Sequence, residues 1–177
     1  MDFKPEFSRP ILVDTIPTRG VDMEIEASAA ECAALAERFG IVKVTDFKAK
    51  AHLRALAGGT LFKVDGHIRA VVEQTCVVTL EPVEQVVDES FMITFGTAAE
   101  SDTLELDLSM DDDDPPEPLT DGAIDLGEVV AEHLALALDP FPRKADAQLP
   151  EIKEDAPIKE EKVSPFAVLA AFKQKNS

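Results

Sequence analysis

The sequence predicts an α+β fold: an antiparallel β-sheet, open to strong curling, with two packing helices, plus a short C-terminal helix on a flexible linker. Three observations predict it. Between residues 45 and 95 the chain alternates apolar and polar side chains, with short turns between the runs, as sequential antiparallel strands do. Two other segments carry a capping residue followed by apolar residues at helical spacing. From Arg143 to Lys162 the chain is mostly charged, holds Pro150 and Pro157, and separates a last apolar stretch from the rest. The expected organisation is a single domain over 1–142 with an acidic loop at 100–121, a charged linker over 143–163, and a short helix within 164–177.

Each element has its own warrant. Val21 to Glu26 fits a short strand. Ser28 and Glu31 have the spacing of a capping box, in which an N-cap hydroxyl and a carboxylate three residues on satisfy each other's backbone N–H. Cys32, Leu35, Ala36 and Phe39 recur at helical spacing and Gly40 stops the helix, so it spans 29–39. Cys32 reads as a small core side chain. Thr45, Phe47, Ala49, Ala51, Leu53 and Ala55 share one strand face, and Asp46, Lys48, Lys50, His52 and Arg54 the other. Val42 and Val44 are out of phase, which places a bulge near Val44–Asp46. Gly58 and Gly59 turn the chain. Alternation then keeps its phase across Gly66 from Leu61 to Val72, favouring one strand over a hairpin. Pro82 closes a turn after Cys76–Leu80, and Val83–Phe95 is the next strand. Asp125 and Glu128 repeat the capping-box spacing, with Ile124 and Val129 at staple positions. Leu126, Val129, Val130, Leu134, Ala137 and Leu138 line one side of that helix, which Pro140 and Pro142 end. Ser164 and Pro165 begin a short helix through about Phe172.

The chain has 177 residues, with 17 Lys plus Arg against 35 Asp plus Glu, a formal charge of −18. That balance argues against coating nucleic acid or an anionic membrane by bulk charge. Residues 100–125 hold eleven of the acidic side chains and no basic one, including Asp111–Asp114 followed by Pro115-Pro116-Glu117-Pro118. Repelling charges and prolines there predict an extended loop. Two cysteines are too few for a disulfide framework. The first residues lack the design of a signal peptide, and no apolar run approaches the roughly 20 residues that span a bilayer. The expectation is a cytoplasmic protein that engages neither membrane nor DNA.

The search for chemistry finds little. Asp111–Asp114 does not fit a calcium loop, because Pro115 and Pro116 break the required alternation of ligands. Cys76 has no second Cys within four residues, and His67 and His133 show no ligand pairing. No phosphate loop, nucleophile elbow or zinc-protease motif occurs. The expectation is no catalytic residue, no cofactor and no metal. Two surfaces stand out instead. Lys48, Lys50, His52 and Arg54 share one strand face, and Lys63, His67 and Arg69 share a face of the next strand. Pairing of the two makes a basic patch, which is either a plain solvated sheet face or a docking surface for phosphates or an acidic segment. The acidic loop is a further, internal partner for it. The C-terminal segment presents Phe166, Leu169 and Phe172, which either dock back on the domain or enter a partner groove.

The run Gly66-His67-Ile68-Arg69-Ala70-Val71-Val72-Glu73-Gln74-Thr75-Cys76-Val77-Val78-Thr79-Leu80-Glu81-Pro82-Val83 resembles the central signature of the YceD family, the large ribosomal RNA subunit accumulation proteins. Its motif residues are Cys76, Leu80, Glu81 and Pro82. Ile124-Asp125-Leu126-Gly127-Glu128-Val129-Val130 followed by Leu134-Ala135-Leu136-Ala137-Leu138-Asp139-Pro140 is similar to the family's second block. The resemblance covers about residues 5–142, and Ser164–Leu169 is similar to the ending of some members. Many members carry a second Cys three positions after the first and further Cys after the Pro-x-Pro turn. Thr79 and the run Arg143-Lys144-Ala145-Asp146 stand there in this chain, so no metal role is carried over. The resemblance implies a non-enzymatic factor in the synthesis, processing or stability of large-subunit (23S) ribosomal RNA during ribosome assembly. Its partners would be a large-subunit RNA precursor or ribosome assembly proteins. The alternative is an acidic adaptor that shields a basic ribosomal protein or assembly factor.

Overall fold

The computed structural model describes residues 5–96, 115–119 and 121–148. The chain divides into two compact units, 1–147 and 148–177. The expected C-terminal helix with Phe166, Leu169 and Phe172 lies outside the described residues. So do the Asp111–Asp114 run and most of the 143–163 linker.

The elements follow in the order β1 (Pro10–Leu12), a 3-10 turn (Val13–Thr15), β2 (Val21–Glu26), α1 (Ala29–Phe39), β3 (Lys43–Leu56), β4 (Leu61–Thr75), β5 (Pro82–Gly96), β6 (Glu117–Pro118), β7 (Ala123–Asp125) and α2 (Leu126–Leu136). A five-stranded sheet has the order β2-β3-β4-β5-β6. Its pairs are antiparallel except β5 with β6, which is parallel. A second, two-stranded sheet pairs β1 with β7. The α+β class with two helices therefore holds. Two features correct the expectation: one parallel pair exists, and the sheet is open, neither closed nor strongly curled.

The local signals act as their chemistry dictates. Ser28 Oγ accepts the Glu31 N–H at 3.3 Å, and the Glu31 carboxylate accepts the Ser28 N–H at 2.8 Å. Gly40 closes α1 with a left-handed φ of 65°. On β3 the register shifts between Thr45 and Lys48, and Asp46 takes a φ of 50°, so the phase break in the sequence is a β-bulge. β4 runs unbroken through Gly66. A Cβ there would lie 2.2 Å from Phe91 Cζ, so the glycine makes room for the Phe91 ring, which stacks on His133 with centroids 4.3 Å apart. Asp125 caps α2, accepting from Gly127 N at 3.0 Å and Glu128 N at 3.3 Å. Glu128 departs from the capping-box expectation. Its carboxylate binds the Arg38 guanidinium at 2.5 and 2.9 Å instead, joining the two helices.

One sheet face is covered and the other faces solvent. Phe47, Leu53, Val64, Ile68 and Val72 of β3 and β4 are buried with Leu35 of α1 and Leu126, Val130 and Leu134 of α2. Phe7 joins them, 5.5 Å from Phe47 between ring centroids. Burying such side chains stabilises by about 1.5–3 kcal/mol each. Cys32 is buried among them and its thiol is pushed up by burial, as a core thiol should be.

Candidate functional site

The uncovered face is built by alternation. Its cationic residues lie on β3 and β4, which are neighbours, so their side chains stand side by side. Lys48 is opposite Arg69, Lys50 opposite His67, and Arg54 opposite Lys63. The structure thus brings together all seven cationic residues that the sequence singles out. The outer strands add what the sequence reading left out. β2 sets Glu26 beside Lys48, Glu24 beside Lys50 and Asp22 beside His52, and β5 sets Asp88 beside Arg69. Transverse rows result, of which Glu26, Lys48, Arg69 and Asp88 form the fullest.

The lysines and Arg69 are ion-paired with these neighbours, and the two histidines make close polar contacts to theirs. Lys48 Nζ lies 3.5 Å from Glu26, Lys50 Nζ 3.4 Å from Glu24, and His52 Nδ1 2.8 Å from Asp22. Lys63 Nζ lies 3.5 Å from Asp65, His67 Nε2 2.9 Å from Asp88, and Arg69 Nη1 3.4 Å from Asp88. Among the described residues Arg54 has no such acid, and its Nε is buried without a hydrogen-bond partner. The face is therefore a two-strand basic stripe, interrupted by Asp65 on β4, between a carboxylate bank on β2 and the single Asp88 of β5, and not a patch of one sign. The β2 bank was legible in principle, because Asp22, Glu24 and Glu26 alternate with Val21, Met23 and Ile25. Most of these pairs are well exposed, and exposed pairs contribute only about 0–1 kcal/mol each. The cations are thus held in place yet exchangeable for another anion.

The family-motif residues form a second centre at the far end of β4. Cys76 is fully buried. Its Sγ accepts the Thr79 N–H at 3.4 Å. The Thr79 hydroxyl, then that N–H, hold the thiol down to about 6, with the Lys144 and Val78 N–H groups helping against burial. Cys76 N donates to Glu81 O at 2.8 Å, and Leu80 N donates to Cys76 O at 3.0 Å. Leu80 adopts a φ of 60° and is 77% exposed. Pro82 opens β5 opposite Thr75. The chain after α2 closes on this turn: Val77 N donates to Pro142 O, Gln74 Nε2 to Asp139 O, and Lys144 Nζ meets Glu81 at 2.7 Å. At Thr79, the departure from the family pattern, the main-chain N–H meets the sulfur and the hydroxyl oxygen accepts the Glu81 N–H at 3.4 Å.

His133, half-buried against Phe91, has its basicity lowered by that burial. Among the described residues no group of three or more His, Cys, Asp or Glu side chains is placed to hold a metal. None of the described helices is long and apolar enough to cross a membrane.

Fold and site define a small acidic α+β protein with an open sheet, a charge-laddered face and a sulfur-centred turn. The chain belongs to the YceD family: the family model described as large ribosomal RNA subunit accumulation protein YceD matches residues 64–173. That span holds β4 from Val64 on, the Cys76 turn, β5 and α2. No curated protein and no solved structure matches the chain at a significant level.

Proposed function

We propose that this protein is a non-enzymatic, cytoplasmic factor in the synthesis, processing or stability of 23S ribosomal RNA during assembly of the large ribosomal subunit. Family membership links it to large-subunit ribosomal RNA. The observation that carries a contact role is the adjacency of Lys48, Lys50, Arg69 and His67 on one exposed face. A phosphate backbone replaces exposed ion pairs at small cost, so contact through this stripe is weak, reversible and steeply salt-dependent. Among the described residues the face presents no stacked aromatic platform, so it holds RNA by phosphate and not by base.

A second reading is favoured by the carboxylate banks and the charge of −18. In it the protein is an acidic adaptor that shields a basic ribosomal protein or assembly factor. One experiment separates the two: capture of tagged protein from lysate at moderate salt, with and without ribonuclease. Retention of 23S precursor and large-subunit proteins that vanishes with ribonuclease supports RNA contact. Lys48→Glu with Arg69→Glu should then reduce the retained RNA at least about tenfold. A basic protein that persists after ribonuclease supports the adaptor. Retention of neither class defeats the assembly role.

A further inference from the structure

Pairing of β2 with β3 begins at Glu26 and Lys48, and Ala27 N donates to Phe47 O just beyond. The Lys43–Asp46 start of β3 therefore has β4 on one side and no described strand on the other. Among the described residues it is an open edge, whose outward backbone groups are a template for another strand. α1 runs above it. The helix side chains there are small, including Ala29, Ala33 and Ala36, and they leave a groove of about 630 Å³. Val42, 51% exposed, and Val44 complete its apolar wall. Its rim carries Glu37 and Asp46, and Glu26, which also meets Lys48 at 3.5 Å, against Lys43. The bulge at Asp46 ends the edge where β2 takes over.

We propose that this groove docks an extended segment of a basic protein, added as a strand beside the start of β3, with apolar side chains under α1 alternating with Lys or Arg at the carboxylate rim. This rests on the adaptor reading and gives it a site. Strand addition supplies main-chain hydrogen bonds, and alternate side chains supply selectivity. The three rim carboxylates select a cationic segment and repel a nucleic-acid backbone or a second copy of this acidic chain.

The test titrates the full chain with a fluorescein-labelled peptide of alternating Lys or Arg and Val, seven residues long. A peptide of the same composition with its valines in one block controls for bulk charge. The alternating peptide should bind saturably, with a Kd of about 1–100 µM. The blocked peptide should bind at least about tenfold more weakly. Ala33→Trp, which fills the groove from an exposed helix position, should weaken the alternating peptide at least about tenfold. Glu37→Lys should weaken it without adding bulk, which covers the case of a misfolded Trp variant. Equal binding of the two peptides, equal binding by wild type and Glu37→Lys, or no saturation below about 1 mM overturns the groove. Ribonuclease-treated capture is read in parallel. Groove variants that bind no peptide yet retain the same large-subunit proteins also overturn it and leave the adaptor standing. Peptide binding with no protein retained supports the groove and removes the adaptor reading.

Discussion

Cys76 shows how one atom organises a junction. Its sulfur lies among N–H groups from the turn and from the chain after α2, so the thiolate is favoured in the fold, down to about 6 against an ordinary 9. A depressed native pKa means that the unfolded chain binds more protons between those values. Stability should therefore rise with pH from about 6 to 9 and be lost as pH falls through 6. Cys76→Ala should flatten that rise, read as urea midpoints at pH 6 and 9. Cys32, raised by burial, acts in the opposite direction and mainly above the ordinary thiol value, while His133, lowered by burial, adds to the rise only near pH 6.5 and below, so the part of the rise that Cys76→Ala removes is the thiol's own. Gly66 is the second residue with a single task. Gly66→Ala should force Phe91 off His133 and cost about 1–3 kcal/mol. Phe91→Leu in the same chain should recover most of that in thermal melts, and no recovery would refute the close-approach account.

At the scale of elements, capping spacings and alternation made α1, β3, β4, β5 and α2 legible. The phase break before Phe47 gave the bulge. β1, β6 and β7 were not legible, because strands of two or three residues carry no periodicity. Glu128 shows why spacing alone under-determines a role: the same position can reach back to a cap or across to a cation, and Arg38, 90 residues away in sequence, decides it. Asp125 does more than cap. It also accepts from Ser8 Oγ at 2.5 Å and Arg9 N at 2.6 Å. Asp125→Ala should therefore cost at least the ~1–2 kcal/mol of a lost N-cap, with Asp125→Asn retaining part of it in chemical denaturation. Gly127→Ala should be worse than its helix propensity predicts. Its Cβ would meet the Phe7 carbonyl oxygen at 2.3 Å, and main chain cannot swing aside. A loss of about 3 kcal/mol is expected, and a gain in Tm would contradict it.

For the whole molecule, charge is the property most visible in the sequence and the one most changed by the fold. Seven basic residues were legible as two strand faces, but the acids that meet six of them were not. It depends on which strands flank them, and register is a long-range outcome. With the stripe compensated locally, the excess of −18 acts as self-repulsion. Raising sodium chloride from about 0.02 to 0.5 M should therefore raise Tm. A fall would mean that the ladder's ion pairs outweigh the repulsion.

The pairing of Pro10–Leu12 with Ala123–Asp125 has a kinetic meaning of its own. A nascent chain emerges from its first residue, yet the main chain of Arg9 finds its partners, Asp125 and Leu126, only when those residues have been made. The β3–β5 meander, joined by short local turns, should assemble first, and a contact spanning 116 residues should seal the fold last. The opening segment thus behaves as a latch. A chain cut before Ala123 should keep sheet content by circular dichroism yet leave the Phe7–Arg9 segment open to protease, and protection of that segment in the cut chain would show that the latch closes without its keeper.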